Sequence, residues 1–286
     1  MLVIVGCIVV IGAVLAGFTW AGGHVGALIH PSEVVTIGGA ALGALIIMSS
    51  KKILTDLMRA VLQTLKGSPY NKEMYRDLFK VSYDLLRLAR RDGLIALETH
   101  VNDPHHSSLI TKYPKIAHNH HAIEFLCGGL SPLVEGMLKP DQIPALLETE
   151  LKVIEEEHHA PLLVLMKTAD GLPGFGIVAA VLGIVITMGA IDGPVEEIGH
   201  KVGAALVGTF LGILASYGFF GPLAGRMELL GHQEMAFFRT IASIIVATAN
   251  DMSAKVAIEQ ARRGMASEVK LKRDELDQLF KEVDAG

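Results

Sequence analysis

No lysine, arginine, aspartate or glutamate occurs before Glu33. A helix at a soluble protein's surface needs a polar face, and a stretch with nothing to supply one is excluded from that role. Cysteine is scarce too: Cys7 and Cys127 are the only two in 286 residues and sit in very different surroundings. That leaves no disulfide framework and no zinc spacing. Positive charge is never blocked together and the net charge is −5, so nucleic acid is not an expected partner. The chain has no P-loop, no Gly-x-Ser-x-Gly and no HExxH. Nothing therefore supports an enzyme, and no cofactor is expected.

What is present is apolar. Hydrophobic residues make up 51% of the chain and charged ones 19%, a balance that points to a membrane protein. A helix needs about 20 apolar residues to cross roughly 30 Å of hydrocarbon. Four stretches qualify: 2–20, 34–50, 172–191 and 202–225. A polar segment separates the second from the third, and a polar tail follows the fourth. The expected fold class is an all-α membrane protein: a two-span hairpin in 1–50, a helical cytoplasmic domain in 51–169, a second hairpin in 170–225 and cytoplasmic C-terminal helices in 226–286. A cleaved signal peptide is the competing reading of the first stretch. It is disfavoured because neither a basic leader nor a small-residue cleavage site is visible.

Charge asymmetry orients these spans. Of 25 Lys and Arg residues, fifteen lie between Lys51 and Lys167 and nine between Arg226 and Lys281. Lys201 alone falls near an outward turn, so both termini and the large segment are expected in the cytoplasm.

The stretch PGFGIVAAVLGIVITMGAID (173–192) admits a second reading, since Gly174-x-Gly176-x-x-Ala179 resembles a dinucleotide-binding turn. Such a turn follows a strand and opens an amphipathic helix. Here the preceding residues have a helical pattern and no polar face follows, so a span is expected, with Pro173 as an early helical position. Gly176, Ala180 and Gly183, and then Ala204, Gly208, Gly212 and Ser216, form small-residue stripes of the kind that let helices approach closely in lipid. They serve either packing within the bundle or contact with neighbouring subunits.

The spans lack a midplane charge. Glu33, Asp170, Asp192 and Lys201 fall at span edges, and the central polar groups are the hydroxyls of Thr36, Thr187, Thr209, Ser216 and Tyr217. A hydroxyl either lines a wet path or bonds back to its own helix. Ion pumps hold their cargo on a titratable group within the membrane. A conductor built this way must borrow its carrier from a partner.

In the polar segment, 51–66 and 71–91 have apolar residues at helical spacing on either side of the breaker GSP. LLRLARRDGLIALETHV then reads as helix, turn at Asp92-Gly93, and helix, projecting Arg87, Arg90, Arg91 and Glu98. These charges form either a solvated surface with intrahelical pairs or a docking face for a charged partner. HNHHAIE (118–124) and EEEHH (155–159) bring His and Glu to helical spacing, but only Glu155-x-x-His158 has the order that di-metal bundles use. No metal site is expected. Residues 234–263 have a helical pattern too short on apolar residues for a fifth span, and KLKRDELDQLFKEVDAG is either a charged helix or a frayed tail.

PGFGIVAAVLG (173–183), VGTFLGILASYGFFGPLA (207–224), the outward turn WAGGHVGALIHPSE and LARRDGLIALE resemble, in order, the MotA family of flagellar motor stator subunits within the MotA/TolQ/ExbB proton channels. The resemblance covers nearly the whole chain. It implies a homopentamer around a dimer of MotB, a single-span partner whose aspartate carries the ion and whose outer domain grips peptidoglycan. It implies torque on the rotor protein FliG through Arg90 and Glu98. It also implies functional prolines at Pro173 and Pro222, at the cytoplasmic ends of the third and fourth spans, and an ion-path hydroxyl at Thr209 with Tyr217 two turns beyond. Sodium-type members carry threonine where this chain has Ala180, which implies protons as the ion. Two other readings compete: an ExbB/TolQ-type energiser, which has a single span before the cytoplasmic segment, and a passive membrane scaffold.

Overall fold

A computed structural model describes residues 2–189 and 191–285. Met1, Ala190 and Gly286, which fall in the first hairpin, the third span and the tail as read from sequence, lie outside the described residues. The regular elements of the described chain are all helices: α1 (Leu2–Trp20), α2 (Pro31–Met48), α3 (Lys51–Lys66), α4 (Lys72–Asp92), α5 (Glu98–Asn102), α6 (Pro114–Ala117), α7 (His120–Val134), α8 (Ile143–Met188), α9 (Val195–Ile213), α10 (Gly221–Ala249), α11 (Ala254–Arg263) and α12 (Arg273–Ala285). A π-helical turn, Leu214–Phe220, joins α9 to α10. Four helical stretches are long and apolar enough to cross a membrane, in the order expected: two, a large helical segment, then two.

The chain divides into two units. The first comprises Met1–Gly67 and Glu157–Leu230, and the second Ser68–Glu156 and Gly231–Gly286.

The apolar unit has few buried side chains. α1 has none, and Leu2, Ile4, Val5, Ile8 and Val9 are all exposed. Such a surface is stable only in hydrocarbon, where an exposed Leu or Ile costs nothing. α2 enters through Pro31, whose missing N–H removes one donor that the helix start would leave orphaned. Its inner face is Glu33, Ile37 and Ala41, spaced by four. Ser50 caps α3, with its Oγ accepting from the Ile53 N–H at 3.3 Å. α3 then rests on α8 and α10 through Leu57, Leu162, Leu165, Ala224 and Met227, and Lys52 pairs with Glu157.

The polar unit has a conventional core. The Asn71 side chain caps α4 by accepting from the Glu73 and Met74 N–H groups at 3.1 and 3.0 Å. Tyr75, Leu78, Phe79, Leu85 and Leu86 of α4 are buried. Opposite them lie Phe237, Phe238, Ile241, Ile244 and Ile245 of α10, which accounts for the apolar stretch around Arg239 as core. Residues 234–263 are not one helix: α10 ends at Ala249, Asp251 takes φ 54°, and α11 restarts at Ala254. The tail is a helix and is not frayed. α12 buries Leu276, Leu279, Phe280 and Val283 and is tied along α4 by Lys72–Glu275 (2.7 Å), Lys80–Glu282 (2.7 Å) and Arg87–Asp284 (2.7 Å).

Candidate functional site

Glycine decides how α8 meets α9. A Cβ on Gly176 would lie 2.8 Å from the Gly208 carbonyl oxygen and 3.3 Å from the Thr209 Cα. One on Gly212 would lie 2.6 Å from the Leu172 carbonyl oxygen, and one on Gly183 2.8 Å from the Ala205 Cβ. These are backbone or near-backbone contacts that no rotamer change relieves, so only glycine permits this approach. The small stripes are thus used inside the chain, with Ala205 rather than Ala204 meeting Gly183. Thr209 and Ala180 sit half-buried at this crossing.

The hydroxyls separate into two groups. Thr36 donates to Ser32 O at 2.9 Å and Thr187 to Gly183 O at 2.8 Å, so both are spent on their own helices. Among the described residues, the Thr209 hydroxyl has no hydrogen-bond partner. Tyr217, 73% exposed on the π turn, points its ring off the bundle.

Glu33 does not behave as an edge residue. It is only 7% exposed, and its Cγ lies 3.4 Å from where a Gly208 Cβ would be, beside Ala179 and Ala180 at 3.0 and 3.3 Å from the same point. That level is well inside both α8 and α9. The signal was present in the sequence as the spacing of four linking Glu33, Ile37 and Ala41, but which helix covers that face is not encoded locally.

The two prolines occupy different backbone settings. Pro173 is not an early helical position: α8 begins at Ile143 and runs through Pro161 and Pro173 to Met188. A proline inside a helix removes one donor and frees the carbonyl four residues back, here Ala169. Pro222 is the second residue of α10, directly after the widened π turn. A wide turn accommodates a ring that a regular turn would reject.

A second group of singled-out residues lies in the polar unit. α4 ends at Gly93, whose φ of 87° suits glycine, and a 3₁₀ turn, Leu94–Leu97, leads into α5. Arg87 pairs across to Asp284, and Arg91 chelates its neighbour Asp92 at 2.9 and 2.7 Å. The first pair joins two helices, whereas the second is an intrahelical pair between adjacent residues of α4. Arg90 and Glu98 are exposed, and among the described residues neither side chain has an ion-pair or hydrogen-bond partner. Arg90 lines a groove of about 510 Å³ with Asp84, Arg87, Arg91, Lys112 and Asp284. The Arg91 fork holds the Asp92 carboxyl below its usual range.

Several other titratable groups of this unit have structural explanations. Burial pushes the Tyr75 phenol and the Cys127 thiol up to about 12. Tyr70 is raised by burial and by Glu234, to which it donates at 2.5 Å. His118 Nδ1 contacts Pro114 O at 2.6 Å, and Glu155 pairs with Arg239 at 3.6 Å. Among the described residues no three potential ligands gather around a point where a metal ion would fit.

A family model described as Motility protein A N-terminal matches residues 4–93, and one described as MotA/TolQ/ExbB proton channel family matches residues 117–240. Motility protein A of Salmonella typhimurium is 34% identical over 99% of this chain and 96% of its own length. Chemotaxis protein LafT of Vibrio parahaemolyticus is 37% identical over 93% of each chain. A chain of C. jejuni MotAB superposes with a TM-score of 0.77 at 21% identity, covering 95% of this chain and 98% of its own. A chain of the flagellar MotAB stator complex from Bacillus subtilis superposes with a TM-score of 0.72 at 23% identity, covering 90% and 92%.

Proposed function

The chain belongs to the Motility protein A family, and from that premise we propose that it is the stator subunit of a flagellar motor. It conducts protons together with a single-span MotB-type partner and turns their flow into torque on a rotor protein of the FliG type. It sits in the bacterial inner membrane with both termini in the cytoplasm, as a homopentamer around a partner dimer. The hairpin α1–α2 ahead of the large segment argues against the ExbB/TolQ arrangement, which has one span there.

The observation that carries this reading is the α8–α9 crossing. Two helices approach on glycine, and at that point Thr209 keeps an uncommitted hydroxyl while Thr36 and Thr187 do not. A hydroxyl free of its own helix serves a wet path. Ala180 at the same level offers no oxygen for a desolvated sodium ion, which favours protons. Each proton gains about 2.3 kcal/mol per 100 mV on crossing. Neutralising the partner's buried aspartate removes its desolvation penalty and changes which subunit face it prefers. Pro173, lodged inside α8, and Pro222, beside the π turn, are where the helices have weakened backbone bonding and yield to that change. Tyr217 faces outward from the π turn, toward a neighbouring subunit or the partner.

Arg90 and Glu98 meet the rotor. Unlike Arg87 and Arg91, they carry charge that nothing among the described residues neutralises, and unneutralised charge steers encounter and sets register. The test is reversal. Arg90→Glu lowers motor torque, and the opposite reversal on the rotor's acidic partner residue restores it. Torque unchanged after reversing both Arg90 and Glu98 sinks the rotor-docking role.

A further inference from the structure

We propose that Glu33 is a proton-loading carboxylate on the outer limb of the ion path, fed from the His30–His200 pair and emptied into the partner's carboxylate. The inference rests on the stator reading and names the group that supplies its protons.

Glu33 is more than nine-tenths buried, and among the described residues its side chain has no ion-pair or hydrogen-bond partner. A charge held in that way is costly unless something compensates. The compensation visible among the described residues is the start of α2, where Glu33 sits in the first turn and the free N–H groups favour an anion. The carboxylate thus sits buried and without a partner among the described residues, at a helix start and three residues after His30.

Its position matches the role. The Cγ meets the Gly208 surface one residue before Thr209 and beside Ala180. Gly208 lies eight residues along α9 from His200, about 12 Å at a helical rise of 1.5 Å. The His200 ring stands edge-on to the His30 ring with centroids 6.1 Å apart, and His30 is the residue that precedes α2. His200 is exposed and His30 half-exposed, so the pair is open to solvent while Glu33 is not. The other charged groups near it are accounted for. Lys201 is tied to Glu197 at 2.8 Å, His24 lies in the turn before α2, and α8 has no titratable residue between Gly176 and Met188.

The transfer balances simply. An imidazolium of the pair gives one proton, through intervening water, to the Glu33 carboxylate, which becomes neutral. Glu33 passes that proton past Thr209 to the partner's carboxylate and is an anion again.

The test uses the full chain with its partner in a host lacking its own copy, with motor speed measured at near-zero load and torque at stall. Loading limits fast rotation but has little effect at stall, where proton flow almost stops. Glu33→Gln is expected to lower near-zero-load speed at least about tenfold while stall torque is retained, the full contribution of a positioned proton-transfer group being about 10²–10⁴-fold. Equal speed in the variant overturns the proposal. Speed and stall torque falling in the same proportion also overturns it, because that is the signature of a packing role. Where Glu33→Gln does not reach the membrane, His30→Asn with His200→Ala decides. A low-load speed at least about twofold lower at unchanged stall torque supports the relay, and an unchanged speed refutes it. A wild-type chain that turns no motor overturns the stator reading itself, an outcome distinct from all of these.

Discussion

The informative residues of this chain are those whose partners are missing or unexpected. Among the described residues, Thr209 has a free hydroxyl where Thr36 and Thr187 have none, Arg90 has a free guanidinium between two arginines that are paired, and Glu33 is an acid without a base. The opposite case is Glu259. Arg262 donates two bonds to it at 2.7 and 2.9 Å, and Arg263 adds another at 2.9 Å. These bonds lower the Glu259 carboxyl to about 2. Because the folded value is depressed, the contribution is present above the ordinary glutamate range near 4.5 and lost as pH falls from there toward 2. Glu259→Gln should lower the melting midpoint of the detergent-purified chain by about 2–4 °C at pH 7. The gap to wild type should close as pH drops below about 4.5; a gap that stays constant down to pH 3 would contradict the assignment.

At the scale of elements, the close crossing of α8 and α9 is the feature most exposed to substitution. Gly212→Ala places a methyl 2.6 Å from the Leu172 carbonyl oxygen and 2.9 Å from the Gly176 Cα. Both are backbone atoms, so the helices must part. The cost is about 1–3 kcal/mol, typical of overpacking. Gly203→Ala on the same helix meets nothing within 4 Å and should be neutral or slightly stabilising, since alanine is the better helix former. Thermal unfolding of the two variants side by side separates the readings: equal melting points would mean the crossing is not tight. Helix boundaries were legible where a cap or breaker marked them, as at Asn71 and Gly93. The passage of α8 through Pro173 was not, because proline is a stop signal unless neighbouring helices hold the flanking turns in place.

At the scale of the whole molecule, the prediction concerns the ion. With alanine at position 180 and no midplane sodium ligand apparent in the sequence, swimming speed at constant proton-motive force should not change with external sodium. A strong sodium dependence would overturn the proton assignment. The resemblance read from scattered motifs and the full-length relatives agree on the family, and the order of spans is the order found. Arg87 pairing with Asp284, almost 200 residues away, lay outside what spacing on one helix reveals.

Hydrophobicity, span count and the order of spans were determined by the sequence alone. They depend on runs of adjacent residues, and transfer from water to hydrocarbon is additive along such runs. The choice among chemically equal residues came only from tertiary structure. Threonines 36, 187 and 209 look alike in sequence, and Glu33 looks like any acid at a helix start. Their difference lies in what a second helix brings against them, and that depends on glycines far along the chain admitting a close approach.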